Sequence, residues 1–155
     1  MTCDLTQRAT ALIEHIQTRF HKGHRQALPD LLKLAAAVEA QGIDKGLVDA
    51  LRAIGHDLEQ HMFKEEMRLF PMMEQGGNTL IGRLIEDLHH EHVVHEQGME
   101  CLRARVHELA QPHQTDAALQ ALAQAVEAFA GELTCHIRAE DDELFPLLFS
   151  PVPTA

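Results

Sequence analysis

The sequence predicts an all-α fold, an antiparallel up-down-up-down four-helix bundle, and three observations carry that prediction. Leu, Ala, Glu, Gln and Met dominate, Trp and Tyr are absent, and Val, Ile and Thr are sparse, a composition that favours helix over sheet. Punctuated breaks at Gln41 to Gly46, Gln75 to Thr79 and Ala110 to Thr115 divide the chain into four long helical segments. Connections this short join antiparallel neighbours. With 155 residues, 45% of them hydrophobic, the chain can bury one core but is too short for two independent ones. A single domain over 1–155 is expected, with short tails at about 1–4 and 150–155.

The first segment places Leu5, Ala9, Leu12, Ile16 and Phe20 at helical spacing, and Pro29 should bend it, since proline removes a backbone donor. The second opens near Asp44, a candidate N-cap, and ends in Leu69-Phe70-Pro71. Asn78 or Thr79 should cap the third, which carries His89, His90, Glu91, His92, His95 and Glu96. Thr115 or Asp116 should cap the fourth, which ends in Leu144-Phe145-Pro146; in both such endings proline restricts the residue before it and discourages further helix.

A formal net charge of -11 argues against nucleic acid and anionic membrane surfaces as partners, because both select basic side chains. The N-terminus lacks an apolar signal core, and no run approaches the roughly 20 apolar residues that span a bilayer, so a cytoplasmic location is expected. Cys3, Cys101 and Cys135 form no CxxC pair and read as reduced thiols. The outlier is histidine, at 12 residues, which fall within helical stretches rather than in a tag-like tract, His113 in the last break excepted.

Aligning the second and fourth endings exposes a repeat. His61-Met-Phe-Lys-Glu65-Glu-Met-Arg-Leu-Phe-Pro71 matches His136-Ile-Arg-Ala-Glu140-Asp-Asp-Glu-Leu-Phe-Pro146, the motif HxxxE(E/D)xxLFP at an offset of 75 residues. Positions i and i+4 lie about 40° apart around a helix, one turn apart along it, so each His points the same way as its Glu. Two copies bring two imidazoles and two carboxylates into one bundle interior, where burial is costly unless cations sit between them. A metal site is the economical reading. A lone HxxxE would read as a surface hydrogen-bonded pair; duplication in the same context argues otherwise.

The third segment adds its histidines and the first adds His21 and His24, while His92 lies 71 residues after His21, a hint that these two segments are also paired by the duplication. For His15, His56, His89, His90, His95, His107 and His113, solvated or outer roles are expected, as one bundle site has limited room. A mixed His and carboxylate set without thiolates suits a pair of iron or manganese ions better than structural zinc, and iron is favoured. Ferritin-like bundles use Glu-x-x-His, with Glu first and spacing three; here His comes first and the spacing is four.

With these motifs the chain resembles the hemerythrin-like (HHE cation-binding) proteins, and most specifically the di-iron domain of the Repair of Iron Centres family. The resemblance runs from about Leu12 to Phe149 through Arg19-Phe-His21-Lys-Gly-His24-Arg25-Gln-Ala-Leu28-Pro29, His61-Met-Phe-Lys-Glu65-Glu66, Glu91-His92 and His136-Ile-Arg-Ala-Glu140. It implies a di-iron centre with His21, His61, His92 and His136 as terminal ligands, Glu65 and Glu140 as bridges, and an oxo or hydroxo group between the irons. Asp57 and Glu91 match acidic positions beside the site. Periodicity through Leu12, Ile16 and Phe20 favours His24 over His21. Asp141 stands where oxygen-carrying hemerythrins place an aspartate, whereas the repeat matches Glu140 to Glu65.

The resemblance further implies a stress protein that binds nitric oxide at the reduced centre or supplies iron to damaged iron-sulfur proteins, with a reversible oxygen carrier or sensor as the alternative. Reduction of nitric oxide or peroxide is a third possibility. Oxygen carriers close one iron with a fifth histidine; four residues after His92 stands Glu96, so both irons should stay accessible unless Glu96 or His95 swings in. Full-length relatives carry an N-terminal domain with adjacent cysteines, which this sequence is expected to lack, and activities that need those thiols are then in doubt.

Overall fold

The computed structural model describes residues 2–148, with side chains from Asp4 onward; the Cys3 thiol and the expected tail at about 150–155 lie outside the described residues. Four helical rods pack side by side. The first comprises α1 (Thr2–His15), a π-helical turn (Ile16–His21) and α2 (Lys22–Ala40), and the second α3 (Leu47–Lys64), a π-helical turn (Glu65–Leu69) and α4 (Phe70–Glu74). The third is α5 (Ile81–Ala110) alone, and the fourth joins α6 (Ala117–Arg138), a π-helical turn (Ala139–Leu144) and α7 (Phe145–Leu148). α2 packs against α3 and α6, and α5 closes the ring against the same two. Rods joined by short loops run antiparallel, as the break lengths require.

Helix begins at Thr2, so most of the tail expected at about 1–4 is already the first turn of α1. Pro29 lies inside α2 without ending it. It sits on the exposed face, where solvent can satisfy the carbonyl its missing N–H leaves unpaired. Departure from α geometry comes earlier, at Ile16–His21. Pro71 and Pro146 also fail to stop their rods, which continue to Glu74 and Leu148. In both, the amide just before the proline reaches one residue further back than in an α-helix, Phe70 N to Glu65 O and Phe145 N to Glu140 O. The proline then falls in the first turn of the next α segment, where a missing donor is tolerated.

Asp116 caps α6 as expected, accepting from the Leu119 amide at 2.8 Å. Asp44 does not cap α3; it pairs with Arg105 at 2.7 Å. α3 starts after Gly46, whose φ of +96° favours glycine, and Glu39 Oε1 from the preceding rod accepts from the Gly46 and Val48 amides at 2.8 and 3.0 Å. Asn78 accepts from the Leu80 amide at 2.8 Å, shaping the turn before α5 rather than capping its first residue.

The apolar side chains form two clusters. Leu51, Met62, Leu102, Val126 and Leu133 belong to one, and Ile13, Ile16, Phe70, Leu88 and Phe145 to the other. Each fully buried Leu, Ile or Phe contributes about 1.5–3 kcal/mol. Between the clusters lies a layer of buried polar residues, seven among the described residues: His21, His24, His61, Glu65, His92, His136 and Glu140. Among the described residues no helix is long and apolar enough to cross a membrane.

Candidate metal centre

The repeat produces the expected local pairs. His61 Nε2 lies 3.2 Å from Glu65 Oε1, and His136 Nε2 lies 3.1 Å from Glu140 Oε1. The other rods complete two sets of donors. His21 Nε2 comes within 3.4 Å of Glu65 Oε1, while His92 Nε2 stands 3.0 Å from both Glu140 Oε1 and His61 Nε2. One set is His21, His136, Glu65 and Glu140, the other His61, His92, Glu65 and Glu140, and within each the donor atoms lie within 4.8 Å of one another. Both carboxylates belong to both sets.

His21 enters the interior because of the π-helical turn that ends on it. An α-helical wheel through Ile16 and Phe20 puts His24 near the middle of the inward stripe and His21 away from it. The wider turn holds an extra residue and brings His21 round, so Ile16, Phe20, His21 and His24 are all buried. The alternative to His21, His24, packs behind: its Nε2 lies 3.0 Å from His136 Nδ1. Asp141, the alternative to Glu140, also lies behind, with Oδ1 2.9 Å from His92 Nδ1 and Oδ2 3.1 Å from exposed His89 Nδ1.

Three of the four outer imidazole nitrogens are hydrogen-bonded, and the fourth, His61 Nδ1, faces a carboxylate without a bond. Glu66 Oε2 is 3.3 Å from His21 Nδ1 and is clamped by Arg25, whose guanidinium also binds Glu59. Glu91 Oε2 is 3.6 Å from His61 Nδ1, too long for a hydrogen bond but close enough for charge to act, and its other oxygen meets Lys64 Nζ at 2.7 Å. Such partners orient imidazoles and raise their basicity. Sequence reasoning passed over Glu66, although the repeat carried the signal: Glu66 and Asp141 are its equivalent residues, and each reaches the histidine of a neighbouring rod. Asp57 and Glu96 are exposed on the surface. His95 is half-buried with its ring edge-on to His61, centroids 5.0 Å apart.

Electrostatics follow from burial. Burial raises the Glu65 carboxyl far above its usual range, and the charge on Glu140 adds to it. At Glu140 burial acts in the same direction, but His136, Glu65 and His92 outweigh it and hold the group low. Burial first, then His136, lowers His21 to about 4 and His24 to about 3. His92 is pulled down by burial, yet Asp141 and Glu140 prevail and hold it at about 9. Glu91 is held down to about 2, chiefly by His61.

His21 Nε2, His136 Nε2 and all four oxygens of Glu65 and Glu140 are buried without a hydrogen-bond partner. Buried polar atoms of this kind are rare and costly in proteins. Here they converge on shared points, so the residues fit cations held between them. A helical bundle that closes imidazoles from four rods around a buried carboxylate pair defines a class, that of cation-binding bundles built on repeated His-x-x-x-Glu turns.

The chain belongs to the hemerythrin HHE cation binding domain family, which it matches over residues 12–148. It is similar to the iron-sulfur cluster repair protein YtfE of Dickeya chrysanthemi (strain Ech1591), 37% identical over 140 residues that make up 87% of this chain and 63% of the relative. YtfE of Pectobacterium carotovorum subsp. carotovorum (strain PC1) is 36% identical, and the probable iron-sulfur cluster repair protein of Haemophilus influenzae 34%, with the same coverage. The chain thus spans 63% of the length of these curated relatives, corresponding to their C-terminal part.

Proposed function

We propose that this protein holds a non-haem di-iron centre and acts in the cytoplasmic response to nitrosative and oxidative stress, binding nitric oxide at that centre and supplying iron for repair of iron-sulfur clusters. One observation carries the reading: two four-residue donor sets share both Glu65 and Glu140, as a pair of neighbouring ions requires. His21, His61, His92 and His136 would be the terminal ligands and the two glutamates the bridges. Imidazole and carboxylate donors without thiolate suit iron. The repair proteins to which the chain is similar support the functional part.

When bound, the irons supply open positions for a small diatomic ligand and a pool of ferrous ion. The protein's own contribution is to orient four imidazoles through Glu66, Glu91, Asp141 and His24, and to keep bulk water away with Phe20, Phe70 and Phe145, whose rings stack on His136, His21 and His92. The oxygen-carrier alternative needs a fifth imidazole; Glu96 is exposed and His95 is turned edge-on to His61.

The test is metal analysis and an electronic spectrum of anaerobically purified protein, before and after nitric oxide, followed by incubation with an apo iron-sulfur acceptor. About two irons per chain, a spectral change with nitric oxide and cluster restoration in the acceptor are expected. A folded protein that refuses iron would overturn the reading. Iron-loaded protein indifferent to nitric oxide and unable to restore the acceptor would leave a metal site and remove the stress function.

A further inference from the structure

The centre has an approximate internal two-fold relation. The 75-residue offset pairs His61 with His136, Glu65 with Glu140 and Glu66 with Asp141; the 71-residue offset pairs His21 with His92 and His24 with His95. Contacts obey it in part. Glu66 backs His21 at 3.3 Å and Asp141 backs His92 at 2.9 Å. The relation breaks at the remaining two imidazoles. His136 Nδ1 is backed by His24 Nε2 at 3.0 Å, whereas the equivalent His95 offers His61 no such bond and Glu91 faces His61 Nδ1 instead.

Two inner imidazoles, His21 and His92, are therefore hydrogen-bonded to carboxylates, His61 faces the Glu91 carboxylate at 3.6 Å without a bond, and His136 is bonded to another imidazole. A carboxylate behind a ligating histidine draws on its N–H and strengthens the opposite nitrogen as a donor; a neutral ring draws less. Glu66 is also engaged by both terminal guanidinium nitrogens of Arg25, at 2.6 and 3.0 Å, and Glu91 by Lys64 Nζ at 2.7 Å, so each spends part of its charge elsewhere. Asp141, by contrast, meets only His92 and exposed His89 among its described contacts.

We propose that His24 and Asp141 are positioning residues that make the two halves unequal, so that the ion held by His21 and His136 is the exchangeable one and the ion held by His61 and His92 stays behind. The inference rests on the di-iron reading above. It assigns iron donation to one half of the centre, leaving the other ion to hold the bundle together after release.

Release of ferrous iron from the anaerobic, fully loaded chain to a coloured chelator tests this. Two phases of one iron each are expected, the faster by about tenfold or more, the scale on which outer partners change metal affinity. Asp141→Asn should accelerate the slow phase and leave the fast one; His24→Asp should slow the fast phase; His24→Gln, a neutral acceptor, should keep the two-phase pattern. His24 is fully buried and its acidic replacement could unfold the chain, so the near-isosteric Asp141→Asn, at a partly buried position, decides alone if needed. A single phase in the unaltered protein, or Asp141→Asn acting on the fast phase, overturns the inference and leaves the di-iron reading standing. A chain that never takes up two irons overturns both.

Discussion

Glu65 and Glu140 are the residues on which the centre turns, because each serves both donor sets. If the proposed di-iron centre forms, replacing Glu140 with the isosteric Gln should lower bound iron from about two per chain to below one, whereas His136→Ala removes a donor from one set and should leave about one. Metal analysis of both variants separates the cases; equal losses would show that the carboxylates do not bridge. The histidines also set the pH response of the metal-free chain. Burial keeps His24 at about 3 and His21 at about 4, while the unfolded chain protonates both near 6.5. The unfolded state then binds more protons, and stability falls as pH drops from about 6.5 towards 4. His92 acts oppositely: held at about 9, it contributes fully below 6.5 and loses that contribution as pH rises through 9. Because the raised Glu65 carboxyl acts against the His21 and His24 contributions over the acid range, imidazole NMR titration of the metal-free protein is the cleaner check. His21 and His24 should stay neutral at about pH 5 and His92 protonated at about pH 8, and protonation of His21 and His24 near 6.5 would count against buried neutral imidazoles.

Among the elements, the π-helical turns do most to shape the site. Three of the four rods carry one, and each includes or adjoins residues of the buried polar layer. On the second and fourth rods they begin at or beside the glutamate, so that consecutive acidic residues serve different purposes: Glu65 and Glu140 face the centre while Glu66 and Asp141 reach across to His21 and His92. These turns are invisible to an α-helical wheel, which is why periodicity pointed to His24. Caps behave similarly. Asp116 was legible from its place before an apolar run, but Glu39, seven residues before the Gly46 amide it accepts from, was not. Glu39→Ala removes the acceptor for two amides at the start of α3 and should cost about 1–2 kcal/mol, seen as a lowered urea midpoint with iron content unchanged. A loss of iron as well would mean that the start of α3 and His61 are coupled.

For the molecule as a whole, the centre divides two apolar clusters, and each rod contributes to both the packing and the polar layer. Iron that binds only the folded state must stabilise it, by about 2.7 kcal/mol when free iron is a hundredfold above its dissociation constant. Thermal unfolding should therefore shift upward on iron loading and return when a chelator is added. Leu51→Ala, deep in one cluster, should cost about 2–5 kcal/mol in either state while the loaded chain still holds its iron. An unfolding temperature indifferent to iron would mean that the buried donors do not hold it.

The sequence by itself determined the helical class, the break points and the pairs His61 with Glu65 and His136 with Glu140, because these depend on composition and on a fixed i to i+4 geometry along one helix. It also carried the repeat from which a metal site could be argued. Only the tertiary structure decided that His21 rather than His24 faces the carboxylates, that Glu66, Asp141 and Glu91 stand behind the inner imidazoles, and that His136 alone leans on a histidine. Those relations lie between rods and depend on where a π-helical turn shifts the phase of a helix. Side-chain periodicity within one segment contains no term for either.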